Sequence, residues 1–130
     1  MDNIQLIRYL RIVLVSLLLL LTLHVQAQKS EYHIKIKNHL FYPAVIVIPA
    51  NKKIKLVIDN HDENIEEFDS FDLNREKVIF PNKQASIFIG PLPVGEYSFF
   101  GEYHPHSARG KVIVVESSQQ KLEKGKQDAN

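Results

Sequence analysis

The chain has 130 residues, 45% of them hydrophobic and 24% charged, with a formal charge of +1. That length accommodates one small domain, and the near-balanced charge provides no basic field for nucleic acid or anionic lipid. Cysteine is absent and Met1 is the one methionine, which excludes disulfides, thiolate ligands and cysteine nucleophiles, and thioether ligands once the first segment has left.

Arg8 and Arg11 precede the stretch from Ile12 to Leu23, apolar except for Ser16 and Thr22, and Val25-Gln26-Ala27 follows. Basic residues, a short apolar run and small residues in that order predict a secretory signal peptide over residues 1–27, cleaved after Ala27. A membrane-spanning helix needs about 20 apolar residues, more than Ile12 to Val25 supplies. The expected location of the remainder is a bacterial periplasm. Without Arg8, Arg11 and Asp2, the 16 basic and 15 acidic residues become 14 of each, so residues 28–130 are neutral overall.

From Glu31 onward apolar residues alternate with polar ones in short runs bounded by turn residues, the pattern of half-buried strands. Tyr32, Ile34 and Ile36 alternate with His33, Lys35 and Lys37; Val45 to Ile48 follows Pro43; Lys53 to Asp59 alternates again. Val78 to Phe80, Ala85 to Ile89, Glu96 to Tyr103 and Lys111 to Glu116 complete about seven strands, an all-β two-sheet sandwich spanning residues 28–116. Gly95 is expected to supply a positive φ before the Glu96 strand. Ser117 to Asn130 is polar, with one Leu and no aromatic residue, and reads as a flexible tail.

Two segments carry chemistry. Asp59 to Asp72 holds seven acidic residues and no Lys or Arg. Within it Glu66-Glu67-Phe68 enters a strand, so one glutamate faces the core and the other solvent, and the inner one needs a partner for its charge. The second segment is Phe99 to Gly110, in which Glu102, His104 and His106 offer three donors within five residues. Imidazole with carboxylate suits Cu(II), zinc and iron. His33 and His39, on the first strand and the loop after it, are expected to face solvent rather than to bind metal, and His61 reads as a loop residue. Phe99 and Phe100 cannot both face inward on one strand. Ser107 lies near two histidines, but no nucleophile turn accompanies it and a hydrolase is disfavoured.

Phe41-Tyr42-Pro43, Val47-Ile48-Pro49-Ala50, Glu66-Glu67-Phe68-Asp69-Ser70, Ile89-Gly90-Pro91-Leu92 and Phe99-Phe100-Gly101-Glu102-Tyr103-His104 together resemble the cupredoxin-like domains of periplasmic iron and copper systems. The likeness is to the type found with Efe iron-uptake proteins and ferrous-iron permeases, and it covers roughly Glu31 to Glu116. It implies a Greek-key β-sandwich. Against the blue-copper pattern of that fold, Glu66 falls at or beside the first His, Gly101 at the Cys, His104 at the second His and Ser107 at the Met. One ligand of four survives, so a blue-copper electron carrier is excluded.

The expectation is a periplasmic protein that binds iron or Cu(II) through Glu66 and/or Glu67, Glu102 and His104, with His106 as a further donor. Its partner would be a membrane iron permease or a periplasmic iron-binding protein, and oxidation of ferrous iron is an activity suggested by the resemblance only. The alternative is an interaction module that docks on such a partner without binding metal.

Overall fold

The computed structural model describes residues 2–21, 30–116 and 119. Helix α1 (Asn3–Leu21) is followed by strands β1 (Glu31–Lys37), β2 (Leu40–Tyr42), β3 (Val45–Pro49), β4 (Ile54–Asn60), β5 (Glu66–Ser70), β6 (Arg75–Ile79), β7 (Gln84–Ile89), β8 (Gly95–Gly101) and β9 (Arg109–Val115). Side chains of α1 from Ile4 to Val15 are exposed, and among the described residues no helix is long and apolar enough to cross a membrane. The cleavage site after Ala27 and, apart from Gln119, the polar tail lie outside the described residues.

The strands form two mixed sheets, ordered β2-β1-β4-β7 and β3-β9-β8-β5-β6. Parallel pairs β1 with β4 and β3 with β9 lie among antiparallel ones. The sheets bury their alternate residues against each other: Ile34 and Ile36 from β1, Ile54, Leu56 and Ile58 from β4, Ile46 and Ile48 from β3, Val112 and Val114 from β9. At one end of this core Phe99 packs edge-on against Phe41 at 5.1 Å between ring centroids and, tilted by 31°, against Phe68 at 5.0 Å. Such aromatic pairs contribute about 1 kcal/mol beyond the area they bury. Phe99 is the inward residue of the Phe99-Phe100 pair; Phe100 lies against Phe71 on the outer face.

Among the described residues nine strands replace the expected seven, because β2 and β5 escape the alternation rule. β2 is three residues long. β5 does alternate, but its inward residues are Glu66, Phe68 and Ser70, so two of three are polar and the period of two is not an apolar one. The expected positive φ at Gly95 is also not found: Gly90 has φ +80 instead, and a Cβ there would come within 2.4 Å of the Lys52 carbonyl oxygen. Glycine is required at that close approach.

The turn after β1 and the loop after β4 are tied by buried polar groups. Lys37 pairs with Leu40 in the β1–β2 hairpin, leaving Asn38 and His39 as a two-residue loop with φ of 52 and 64. Two positive φ values are the signature of the tight hairpin turn whose twist matches its strands. Asp62, 8% exposed, holds that turn: its Oδ1 accepts the Asn38 N–H and its Oδ2 the His39 N–H, each at 2.8 Å. Asn60, fully buried at the end of β4, sets Asp62 in turn. Its Oδ1 accepts the Asp62 N–H at 2.9 Å, and its Nδ2 donates to the carbonyls of Asn64 and Ile79 at 2.8 and 3.1 Å.

Burial pushes the Asp62 carboxyl up, but the N–H groups of His39 and Asn38 and the charges of His39 and Lys37 outweigh it and hold the group below its ordinary value of 3.8. A carboxylate with a depressed folded-state pKa stabilises the fold above the unfolded value and loses that contribution as pH falls through the folded one.

Asn60→Ala is expected to destabilise the domain by about 3 kcal/mol, since it leaves buried carbonyls and the Asp62 N–H unpaired; urea unfolding measures this. Asp62→Ala should cost about 2 kcal/mol at neutral pH. The difference from the parent should shrink as the pH is lowered below 3.8, when protonation removes the same interaction from the parent; unfolding midpoints at a series of pH values give the comparison.

Candidate metal centre

Glu66 opens β5 on the inward face and is 2% exposed. A carboxylate taken out of water needs a hydrogen-bonded or charged partner, and a hydrogen bond joins its Oε1 to His39 Nδ1. The third member comes from the loop between β8 and β9. There the His104 N–H donates to the Gly101 carbonyl at 3.1 Å, and the His104 carbonyl accepts from Ala108 and Ser107 at 2.8 and 3.2 Å. This makes one compact turn. It carries the His104 ring to 3.8 Å from the His39 ring, centroid to centroid, at an interplanar angle of 34°.

His39, Glu66 and His104 each present a ligand atom, and these atoms all lie within 4.8 Å of one another. Among the described residues they are the one group of three or more His, Cys, Asp or Glu side chains so gathered. Two imidazoles and one carboxylate form a donor set that zinc, Cu(II) and non-haem iron accept. The residues present therefore fit a first-row metal ion, with His39, Glu66 and His104 as the groups that would hold it.

Of the residues expected from sequence, Glu66 and His104 come together, while Glu67, Glu102 and His106 lie outside this group. Glu67 follows Glu66 on a strand and so points to the opposite face, beside Tyr103. The Glu67 carboxylate beside it, partial desolvation and the charges of Glu102 and Glu66 push the Tyr103 phenol above its ordinary value. Glu102 is exposed, its N–H continuing the ladder to the Glu67 carbonyl at 3.0 Å. His106 is exposed because residues two apart on a helix-like turn do not share a side. His61 pairs with Asp59 at 2.8 Å on the surface, and His33 with Glu31.

His39 corrects the sequence reading, which put it toward solvent. Its side chain is 35% exposed and turned onto Glu66. The available signal was Asn38-His39 itself: Asn favours positive φ, and a two-residue turn between Lys37 and Leu40 folds the second turn residue back over the sandwich end.

Comparisons with known proteins agree with this architecture. The chain is similar to an uncharacterized protein of Rickettsia prowazekii (strain Madrid E), 44% identical over 84 residues that cover 65% of this chain and 67% of that one. Among solved structures it is similar to the metal-binding domain of the Cu(I)-exporting P-type ATPase CopA of Streptococcus pneumoniae D39. The TM-score is 0.57 and the identity 16%, over 66% of this chain and 85% of that one. It is also similar to auracyanin A, a blue copper protein of Chloroflexus aurantiacus, with TM-score 0.57 and 11% identity over 65% and 98% of the two chains. At these identities the likeness is one of fold. The family described as Cupredoxin-like domain matches residues 10–114, and with two mixed sheets of four and five strands and no cysteine, this chain belongs to the cupredoxin-like domain family.

Proposed function

We propose that this protein is a periplasmic metal-binding protein that holds Cu(II) or iron through His39, Glu66 and His104 and serves iron uptake. The observation that carries the reading is the convergence of three donors within 4.8 Å, one of them a carboxylate at 2% exposure. Burying a carboxylate costs free energy that a surface position would avoid, and a bound cation offsets that cost. Two imidazoles and a carboxylate without sulfur favour Cu(II) and iron over Cu(I), and Cu(II) leads on intrinsic affinity. A bound Cu(II) supplies a one-electron acceptor, the chemistry that ferrous-iron handling calls on.

Within the site the chain's own residues have separate roles. Glu66 supplies the negative charge from the floor. His39 and His104 supply neutral nitrogen donors from two different loops, so the site forms only when both sheets are in place. Asp62 and Asn60 hold the His39 turn without touching the metal.

A groove of about 540 Å³ on the outer face of the five-stranded sheet favours the second reading, a docking module for an iron permease or a periplasmic iron-binding protein. Phe71, 82% exposed, lies at 5.4 Å from the Phe100 ring in its wall, next to Arg109 and Lys111. An exposed aromatic ring packed on a half-buried one, beside cationic side chains, is the kind of anchor an interface uses.

Calorimetric titration of the chain with Cu(II) and Zn(II) is expected to give one-to-one binding. His39→Ala, Glu66→Ala and His104→Ala should each weaken it by about a hundredfold or more, about 2.8 kcal/mol. Glu67→Ala, Glu102→Ala and His106→Ala should stay within about threefold, a spread of about 0.7 kcal/mol. Binding no tighter than millimolar, about −4.1 kcal/mol, would make the His39–Glu66 contact an ion pair only. Phe71→Asp is expected to abolish association with a partner while leaving metal affinity unchanged; pull-down from a periplasmic extract alongside the titration separates the two readings.

A further inference from the structure

We propose that the metal held by His39, Glu66 and His104 keeps coordination positions that the chain leaves unfilled, and that these take a small monoanion from solution. The inference rests on the metal-binding reading above and specifies what the site does with it.

Zinc, Cu(II) and iron take four to six ligands, and the described residues bring three together. Each nearby candidate for a fourth is engaged elsewhere or faces away. Both Asp62 oxygens accept N–H groups of the His39 turn. Glu67 lies on the opposite face of β5, beside Tyr103. The Ser107 hydroxyl points to the carbonyl of His104 in its own turn, at 3.5 Å, and His106 is exposed on the far side of that turn. Gly101 lacks a side chain, and a Cβ there would stand 2.9 Å from the Ala108 methyl, so the wall between β8 and the loop is closed by carbon.

Burial shows where the open positions face. Glu66 has a side chain 3% exposed and forms the floor, whereas the His39 side chain is 35% exposed and His104 half-buried. Water and solutes reach the metal from the histidine side. Charge then selects the ligand class. A divalent ion with one carboxylate and two neutral imidazoles keeps a net charge of +1, and in a partly buried site a monoanion that cancels it is favoured over a second cation. The Glu67 and Glu102 carboxylates act on that balance from the solvated side, where salt screens them. Two closely set, tilted imidazoles and the 101–108 turn crowd the position, which limits the ligand to a few atoms.

Azide is the probe. The full chain is loaded with one equivalent of Cu(II), desalted to remove unbound metal, and titrated with azide while visible absorption and the Cu(II) EPR spectrum are recorded. The expected result is a saturable azide-to-copper charge-transfer band with a matching change in EPR, reversed by desalting and retained in Glu67→Ala and His106→Ala. Copper retained one-to-one with neither signal moved by azide would overturn the inference and leave the metal reading standing. An azide response present only in Glu67→Ala or His106→Ala would also overturn it, by showing that the chain fills the position itself. Failure to retain copper would overturn both.

Discussion

The candidate site depends on one constraint: a carboxylate, Glu66, has been placed inside the end of a β-sandwich. At 2% exposure it cannot be left to solvent, and a lone buried charge costs several kcal/mol. The fold answers with an imidazole from a hairpin that begins the domain and another from the loop before its last strand. Neither donor is near Glu66 in sequence. The site is therefore a product of sheet order, with β1–β2 on one sheet and β5, β8 and β9 on the other, and it cannot exist in a partly folded chain.

The hairpin donor is also the one that needs the most support. Positive φ at two consecutive non-glycine residues is costly, and both Asn38 and His39 have it. Two hydrogen bonds from a single carboxylate hold them there, and the carboxylate itself is held by a buried Asn60 whose amide spans three segments of chain. Charged acceptors of backbone N–H groups make stronger bonds than neutral ones. Part of the acidic character of the segment from Asp59 to Asp72 is thus architectural: Asp62 braces a turn and Glu66 faces the site, while Asp59 and Glu63 are at the surface.

How much of this the sequence discloses follows from the range of the interactions. Alternation identifies β1, β4, β7 and β9, since local pattern alone decides their faces. The inward direction of Glu66 rather than Glu67 depends on strand register, which long-range pairing with β6 and β8 fixes. His104 was legible because its loop clusters donors, but the same cluster made Glu102 and His106 equally plausible, and turn geometry separates them only once the His104 carbonyl is seen to accept from Ala108. The place of His39 beside Glu66 is not legible in the sequence. It comes from a contact 27 residues away and from a strand, β2, too short to announce itself.

The absence of sulfur is built into the packing as well as the composition. By resemblance Gly101 occupies the place of the blue-copper cysteine, yet the space where that side chain would start is taken: a Cβ would stand 2.9 Å from Ala108 and 3.8 Å from Phe41. The Gly101 N–H bonds the Ala108 carbonyl at 2.9 Å, which draws the loop against the strand. Restoring a thiolate would require the 101–108 turn to move, and His104 rides on that turn. The same closeness that excludes a cysteine brings His104 to His39 and both to Glu66. The tight loop between β8 and β9 is what sets His104 beside a histidine of the first hairpin.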